Sequence, residues 1–406
     1  MPAPIVCYLS GPRLLVKRPG EEPLELESRF AEEVRQRAVQ IRKKHEWKQQ
    51  GRGAQFSGAL LWGMDGDDQG PGPLAWFTAL SPGRAPGEVL YALSSGRVSG
   101  VFAADARAEE PAETEQRLFH TADFQVFDLA RTDDHEWVAC TTTGAHGVQH
   151  LGAMREDGSD FEQLTEGDSM DRAPAWVPGV HAQLVYESAG VGRDAAGQMV
   201  GFGPTSVQRL DVPSSEVSTV LEDAKHDHLA PRLDASGRLL CIRRPWHDPS
   251  KGALASPKSV GRALMDFVLF PFRLIFALFA YLNFFTASYT GKPLTTAGGP
   301  EKQGRDARQL AIWGNLLAAG AVAPGKADEP RDVPSSWQLL RWTLDDEGQP
   351  KGDPEVLAKS VADYHLASDG SVVFTTGRTV VCLSPDGSRE TLVEGEHIRR
   401  VVVLGD

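Results

Sequence analysis

His226-Asp227-His228 is the densest group of side chains in the sequence that could do chemistry, with Glu222 and Asp223 just ahead of it. Imidazole nitrogen and carboxylate oxygen both ligate borderline divalent cations, so the group could hold a metal. Two imidazoles at i and i+2 supply only part of a coordination shell. A polar turn just before a strand is therefore the competing reading of His226, Asp227 and His228. The run Asp65-Gly66-Asp67-Asp68 opens like a calcium loop but lacks the later ligand positions, and reads as a solvated turn. Channel catalysis would need ionisable groups converging from distant segments, and His120, His226, His228 and His365 are the set that could supply them.

Other catalytic signatures are missing from the sequence. G-x-S-x-G, the nucleophile elbow of hydrolases, does not occur, nor does H-E-x-x-H. The glycine patterns that cradle a dinucleotide or a nucleoside triphosphate are also missing. The reading is a non-catalytic chain without a cofactor; the alternative is a hydrolase or lyase using the histidine set. Cys7, Cys140, Cys241 and Cys382 are widely spaced, and each lies in or beside an apolar run. Buried reduced thiols are the simplest account, although four cysteines also allow three disulfide pairings.

The formal net charge of -13 repels phosphate backbones, so no nucleic-acid partner is expected. The one basic run, Arg35, Arg37, Arg42, Lys43, Lys44 and Lys48, reads as the wet face of a helix. No secretory signal precedes Ile5-Val6-Cys7, and the expected compartment is the cytoplasm.

Residues 260–290 stand apart. From Phe267 to Ala287 there are 21 residues with a single charge, Arg273. That length and composition would suit a membrane span. Its apolar load is Phe267, Phe270, Phe272, Ile275, Phe276, Phe279, Tyr281, Phe284 and Phe285. A single crossing would put the sequences on either side of it in different compartments. Pro271 offers a kink, and Asp266, Arg273 and Asn283 resist deep burial. An interfacial or shallow re-entrant helix fits better. Docking on a protein partner and packing against the chain's own fold are the alternatives. Ala307 to Val322 reads as a second, short apolar helix.

These residues must be positioned by many short strands. Runs of alternating or continuous apolar residues recur between Gly, Pro and Asp turns from residue 4 to about 250, and again from Trp337 onward. Residues 28–50 interrupt them with an amphipathic helix, capped by Ser28 with Glu32 and Glu33 in its first turn. The strands repeat. Asp171 to Gly179 contains Ala173-Pro174 and precedes the strand Gln183–Tyr186. Asp227 to Gly237 contains Ala230-Pro231, 57 residues later, and precedes Leu239–Ile242. Weaker copies run from Asp123 to Cys140 and from Asp363 to Phe374. A small sheet with two apolar faces cannot stand alone in water, so copies must cover one another.

The stretch REDGSDFEQLTEGDSMDRAPAWVPG resembles the WD40-like PD40 repeat of the TolB family. Asp157, Gly158, Gln163, Leu164, Thr165, Pro174, Trp176, Pro178 and Gly179 match its pattern, while Val177 replaces the usual serine and the usual Asp before Gly179 is missing. The resemblance implies an all-β β-propeller used mainly for protein contacts, and it brings no active site with it. Asp157, Gly158, Leu164, Pro174 and Trp176 are then blade anchors. Asp168 and Asp171 are expected to bond the turn backbone. Trp176, like Trp137, Trp62 and Trp76, could instead line a binding surface. The expected organisation is a propeller over residues 1–246, an apolar helical insertion over 247–336, and the rest of the propeller over 337–406. Six blades are expected, with seven the alternative, and the last strand closes the ring beside the N-terminal strands. Such a chain is expected to act as a scaffold peripherally attached to a membrane. A soluble subunit docking on protein through the insertion is the alternative.

Overall fold

A computed structural model describes residues 4–37, 75–246 apart from a few loop positions, parts of 310–317, and 331–405. Six antiparallel sheets, five of four strands and one of five, form the blades of a β-propeller. From the axis outward, blade I is Trp76–Pro82, Glu88–Ser95, Val98–Asp105 and Gln116–Thr121. Blade II is Val126–Arg131, Trp137–Thr143, Gln149–Arg155 and Glu162–Gln163. Blade III is Ser169–Trp176, Gln183–Arg193, Ser206–Asp211 and Glu216–Leu221, with Met199–Phe202 paired to the outer part of its second strand. Blade IV is His226–Leu233, Leu239–Pro245, Gln338–Leu344 and Pro350–Lys359. Blade V is Asp363–Leu366, Val372–Thr375, Thr379–Leu383 and Arg389–Glu394. Blade VI joins the two ends of the chain: Ile398–Leu404 is innermost, followed by Ile5–Ser10, Arg13–Lys17 and Leu24–Glu25.

Strand periodicity explains the ring. Successive side chains point to opposite sheet faces, and a blade is covered on both. In Ile5–Ser10, Cys7 and Leu9 pack toward blade I while Val6 and Tyr8 pack toward blade V. In Glu88–Ser95, Val89, Tyr91 and Leu93 face blade VI, and Leu90 and Ala92 face blade II. The buried apolar residues accordingly fall into six clusters, one at each junction between neighbouring blades.

The two ends of the ring differ. One end carries the turns between first and second strands and between third and fourth. Most of these are compact, the exception being residues 106–115 of blade I with a 3-10 turn at Pro111–Thr114, and Asp-Gly or Ser-Gly pairs recur in them, as at Asp157-Gly158, Ser236-Gly237, Asp369-Gly370 and Asp386-Gly387. The other end carries every long excursion: residues 26–75, the 189–205 loop of blade III, and 246–337. The first excursion opens with a helix over residues 29–37, where the Ser28 hydroxyl accepts a hydrogen bond from the Ala31 N–H at 3.2 Å. Residues 41–74, including Trp62 and Asp65 to Asp68, lie outside the described residues.

The expected helix at 307–322 is corrected. Leu310–Ile312 pairs with Asn315–Leu317 as a short antiparallel hairpin. The Gly314-Asn315 pair in the sequence favours reversal over helix continuation. The apolar segment at Phe267, Phe270, Phe272, Ile275, Phe276, Phe279, Tyr281, Phe284 and Phe285 lies outside the described residues. Among the described residues, no helix is long and apolar enough to cross a membrane.

Tyr364 links blades IV and V. Its fully buried hydroxyl lies 2.7 Å from the Ala230 carbonyl oxygen and 2.8 Å from that of Leu240, and donates between them. Tyr364→Phe should leave the circular dichroism spectrum unchanged and lower unfolding free energy by about 1–2 kcal/mol, read from the urea midpoint.

Candidate functional site

The axis of the ring is built from charged side chains on the inner strands. Blade II contributes Asp128, blade III Arg172 with Glu187 beside it, blade IV Arg232, blade V Asp363 and blade VI Arg400. The repeated Ala-Pro pairs explain part of the geometry. Ala173 and Ala230 both adopt positive φ, at 50° and 49°, and each marks a bulge in its inner strand. The bulge releases one N–H from the blade's own ladder. That N–H is then given to the preceding blade: Ala173 donates to Asp128 Oδ2 at 3.2 Å, and Ala230 donates to Glu187 Oε2 at 2.8 Å. Blade VI repeats the device with a different residue, Val401 N–H donating to Asp363 Oδ2 at 2.8 Å.

Ion pairs complete the arrangement. Arg400 reaches across to Asp128, and Arg172 lies 2.9 Å from Glu187. Burial raises the Asp128 carboxyl, but Arg400, the Thr141 hydroxyl and the Ala173 N–H together outweigh it and hold the group below its ordinary range. Burial raises Glu187 despite Arg172. Burial also pushes Asp363 up to about 6 against the pull of Arg400 and Arg232. The space left among Asp128, Ala173, Ala230, Arg232 and Arg400 is about 20 Å³. That holds a water molecule but no organic substrate. What this constellation does chemically is bind blade to blade.

His226, Asp227 and His228 are not in a turn: they begin the inner strand of blade IV. The pairing of His226 with Pro245 and of His228 with Arg243 extends the ladder through them, which is why the turn reading fails. Their side chains have separate partners. His226 Nδ1 lies 2.6 Å from Asp223. Asp227 accepts from Arg244 at 2.7 Å and from the Thr205 N–H at 2.9 Å. His228 is buried, its ring and that of Trp342 meeting at a steep angle with centroids 5.9 Å apart. No group of three metal-ligating side chains is brought together among the described residues. The wider histidine set does not converge either. His120 is exposed on the outermost strand of blade I, whereas His226, His228 and His365 begin or line inner strands of blades IV and V.

The repeat residues hold local structure. Asp157 accepts from both the N–H and hydroxyl of Ser159, at 2.9 and 2.6 Å. Gly158 has φ +80°, and a Cβ there would stand 2.6 Å from the Phe119 ring of blade I. Pro174 follows the Ala173 bulge, and Leu164 packs into the blade II–III cluster. Trp176 joins that cluster and donates its indole N–H to the Ala130 carbonyl at 2.9 Å. The same ring borders a cavity of about 360 Å³, together with Trp137. Trp76 is 37% exposed on blade I. Asp168 and Asp171 differ from expectation: Asp168 pairs with Arg193, and Asp171 accepts from the hydroxyls of Ser169 and Ser188. Arg193 and Ser188 lie on the paired strand, while Ser169 is on Asp171's own strand. All four cysteines are buried and free, and burial raises the Cys140 thiol to about 12. The inner-strand acids were not singled out from sequence, because an isolated Asp128 or Glu187 inside a strand carries no motif.

Comparison with known proteins shows the fold class and little beyond it. The chain is similar to a structure of a nidogen/laminin complex over 99% of its own length and 98% of that chain, with 8% identity and a TM-score of 0.50. It is also similar to TolB from Acinetobacter baumannii, over 99% of this chain and 67% of that one, at 10% identity and a TM-score of 0.48. A puromycin-hydrolyzing peptidase from Mycobacterium tuberculosis matches 95% of this chain and 41% of that one, at 12% identity and a TM-score of 0.42. No family model and no curated protein matches the sequence. The protein is a six-bladed β-propeller, in agreement with the TolB-like repeat read from its sequence.

Burial and its charged neighbours depress two imidazoles, His228 to about 4 and His365 to about 3. A free imidazole titrates near about 6.5, so the unfolded chain binds these protons first. Their stabilising contribution is full above that pH and is lost as pH falls through the folded values. Asp363 acts oppositely: its contribution is present below the ordinary carboxyl value and lost as pH rises through about 6. The two imidazoles lower the thermal midpoint as pH falls from 6.5 to 4, and Asp363 and Glu187, both raised by burial, oppose them over the lower part of that interval. His228→Gln should flatten that slope by up to about one proton, measured by calorimetry across the interval.

Proposed function

We propose that this propeller is a non-catalytic scaffold for protein partners, held peripherally at the cytoplasmic surface of a membrane by residues 260–290. The observation that carries the reading is the pairing of Leu239–Pro245 with Gln338–Leu344 in one sheet. These strands flank the excursion that contains the apolar segment. Both of its ends therefore leave from the same end of the ring and share one aqueous compartment, which supports an attachment that returns to its starting side.

The return limb is fixed to the ring. Asp332 accepts a hydrogen bond from Arg378 at 2.8 Å, and its N–H donates to the Thr376 carbonyl at 2.9 Å. Trp337 is buried in the blade IV–V cluster, with Arg244 over its ring at 5.0 Å. An anchor inserted between strands held this way pulls on the whole propeller. The non-catalytic half of the proposal is supported by the inner-strand acids, whose oxygens serve neighbouring blades, and by the scattered histidines. Four free thiols suit a reducing compartment.

Deleting residues 258–292 tests the attachment. The intact protein should sediment with phosphatidylcholine–phosphatidylserine vesicles. The deletion should remain in the supernatant with an unchanged thermal midpoint, since shortening a long loop barely alters closure entropy. An intact protein that never sediments with vesicles, yet forms a stable protein complex through the segment, would replace lipid by protein as its target.

A further inference from the structure

The six blade junctions are not equally filled. Among the described residues, the cluster between blades II and III has six buried members, whereas the others have from nine to fourteen. The missing packing is a cavity of about 360 Å³ that opens at the end of the ring with the compact turns. A space of that size matches a small ligand or one to two residues of a peptide.

Its walls have an order. Ala153 and Val177 are buried, Leu164, Trp137 and Trp176 are half-buried, and Val180 is 45% exposed at the mouth. The two indoles are fixed. Trp176 is tied to Ala130, while Trp137 bonds Thr132 through both backbone groups and carries Arg155 over its ring at 5.1 Å. The ionisable side chains lining the space are Asp134, Glu162 and His181, all exposed, and no Lys or Arg lines it. Asp134 stays ionised, because the Thr132 hydroxyl and Glu136 N–H hold its carboxyl low. The cavity is thus apolar and aromatic inside and acidic at its entrance, on a protein whose net charge is -13.

We propose that this cleft binds a peptide segment of a protein partner in which an aromatic or long aliphatic residue adjoins Lys or Arg. The apolar side chain lies between the indoles of Trp137 and Trp176. The cation remains at the entrance, where Asp134 and Glu162 attract it and the ring faces add a cation–π contribution. The site is at the opposite end of the ring from the 246–337 excursion and stands whether or not that excursion meets lipid.

The test uses the full chain with 15N-labelled tryptophan. Indole signals of Trp137 and Trp176 are assigned from single Phe variants and followed while Ac-Phe-Arg-NH2 is titrated into the millimolar range. Both signals should shift and saturate. Ac-Phe-Glu-NH2 should bind about tenfold more weakly, and Glu162→Gln should weaken the arginine peptide alone by about threefold. Val180→Lys, at an exposed position, should block the cleft without changing the thermal midpoint. Equal affinity for the two dipeptides, unmoved indole signals, or undiminished binding to the Val180→Lys variant would each overturn the proposal. Phenethylamine binding as tightly as Ac-Phe-Arg-NH2 would make this a free-amine site and overturn the peptide assignment.

Discussion

Every blade of this protein has two apolar faces, and that constraint governs the rest of the structure. A lone four-stranded sheet of such sequence would expose Val, Leu and Tyr on both sides. Each side chain is worth roughly 1.5–3 kcal/mol when taken out of water. Closure into a ring covers both faces of all six sheets, and brings six inner strands close around one axis. Crowded backbone on the axis then needs hydrogen-bond partners, because an unmet buried N–H is costly. Asp128, Glu187 and Asp363 meet that need. Their burial is itself expensive and is offset by Arg400, Arg172 and Arg232 nearby. Apolar closure and axial charge are consequences of one geometry.

The division of labour between the two ends follows from the same topology. Compact turns at one end require little sequence, and Asp-Gly pairs suffice. Long excursions at the other end are tolerated because the strands they separate are held by neighbours on both sides. Blade IV shows this plainly: its second and third strands pair in register although some ninety residues separate them. The Asp332–Arg378 pair and the buried Trp337 fix the returning chain at that end.

Much of the fold was legible in the sequence because its signals are local. Alternating apolar residues, Gly and Asp turns, and the Ala-Pro repeat at Ala173 and Ala230 each depend on a few neighbours. The Ser28 cap was legible for the same reason. The local pattern misleads where strand pairing decides. His226 to His228 carry polar side chains that read as a turn, yet pairing with Arg243 to Pro245 makes them strand. Leu310 to Leu317 has apolar residues at helical spacing, but Gly314 and Asn315 favour a hairpin. The axial acids were invisible, because each needs a partner 38 to 45 residues away to acquire its role. The cleft beside Trp176 was equally hidden: the tryptophan was legible, but the shortfall of packing around it belongs to two blades at once.

The innermost strand of blade VI, Ile398–Leu404, comes from the far end of the chain, while its three companions come from the start. A ribosome delivers those companions first and that strand only after the other five blades. Ile5–Ser10 therefore keeps one edge bare until Ile398–Leu404 emerges, although blade I can cover its Cys7 and Leu9 face much earlier. An unpaired apolar edge of this kind recruits foreign strands. Until Ile398–Leu404 arrives to pair with it, that edge is the part of the growing chain most open to wrong pairing.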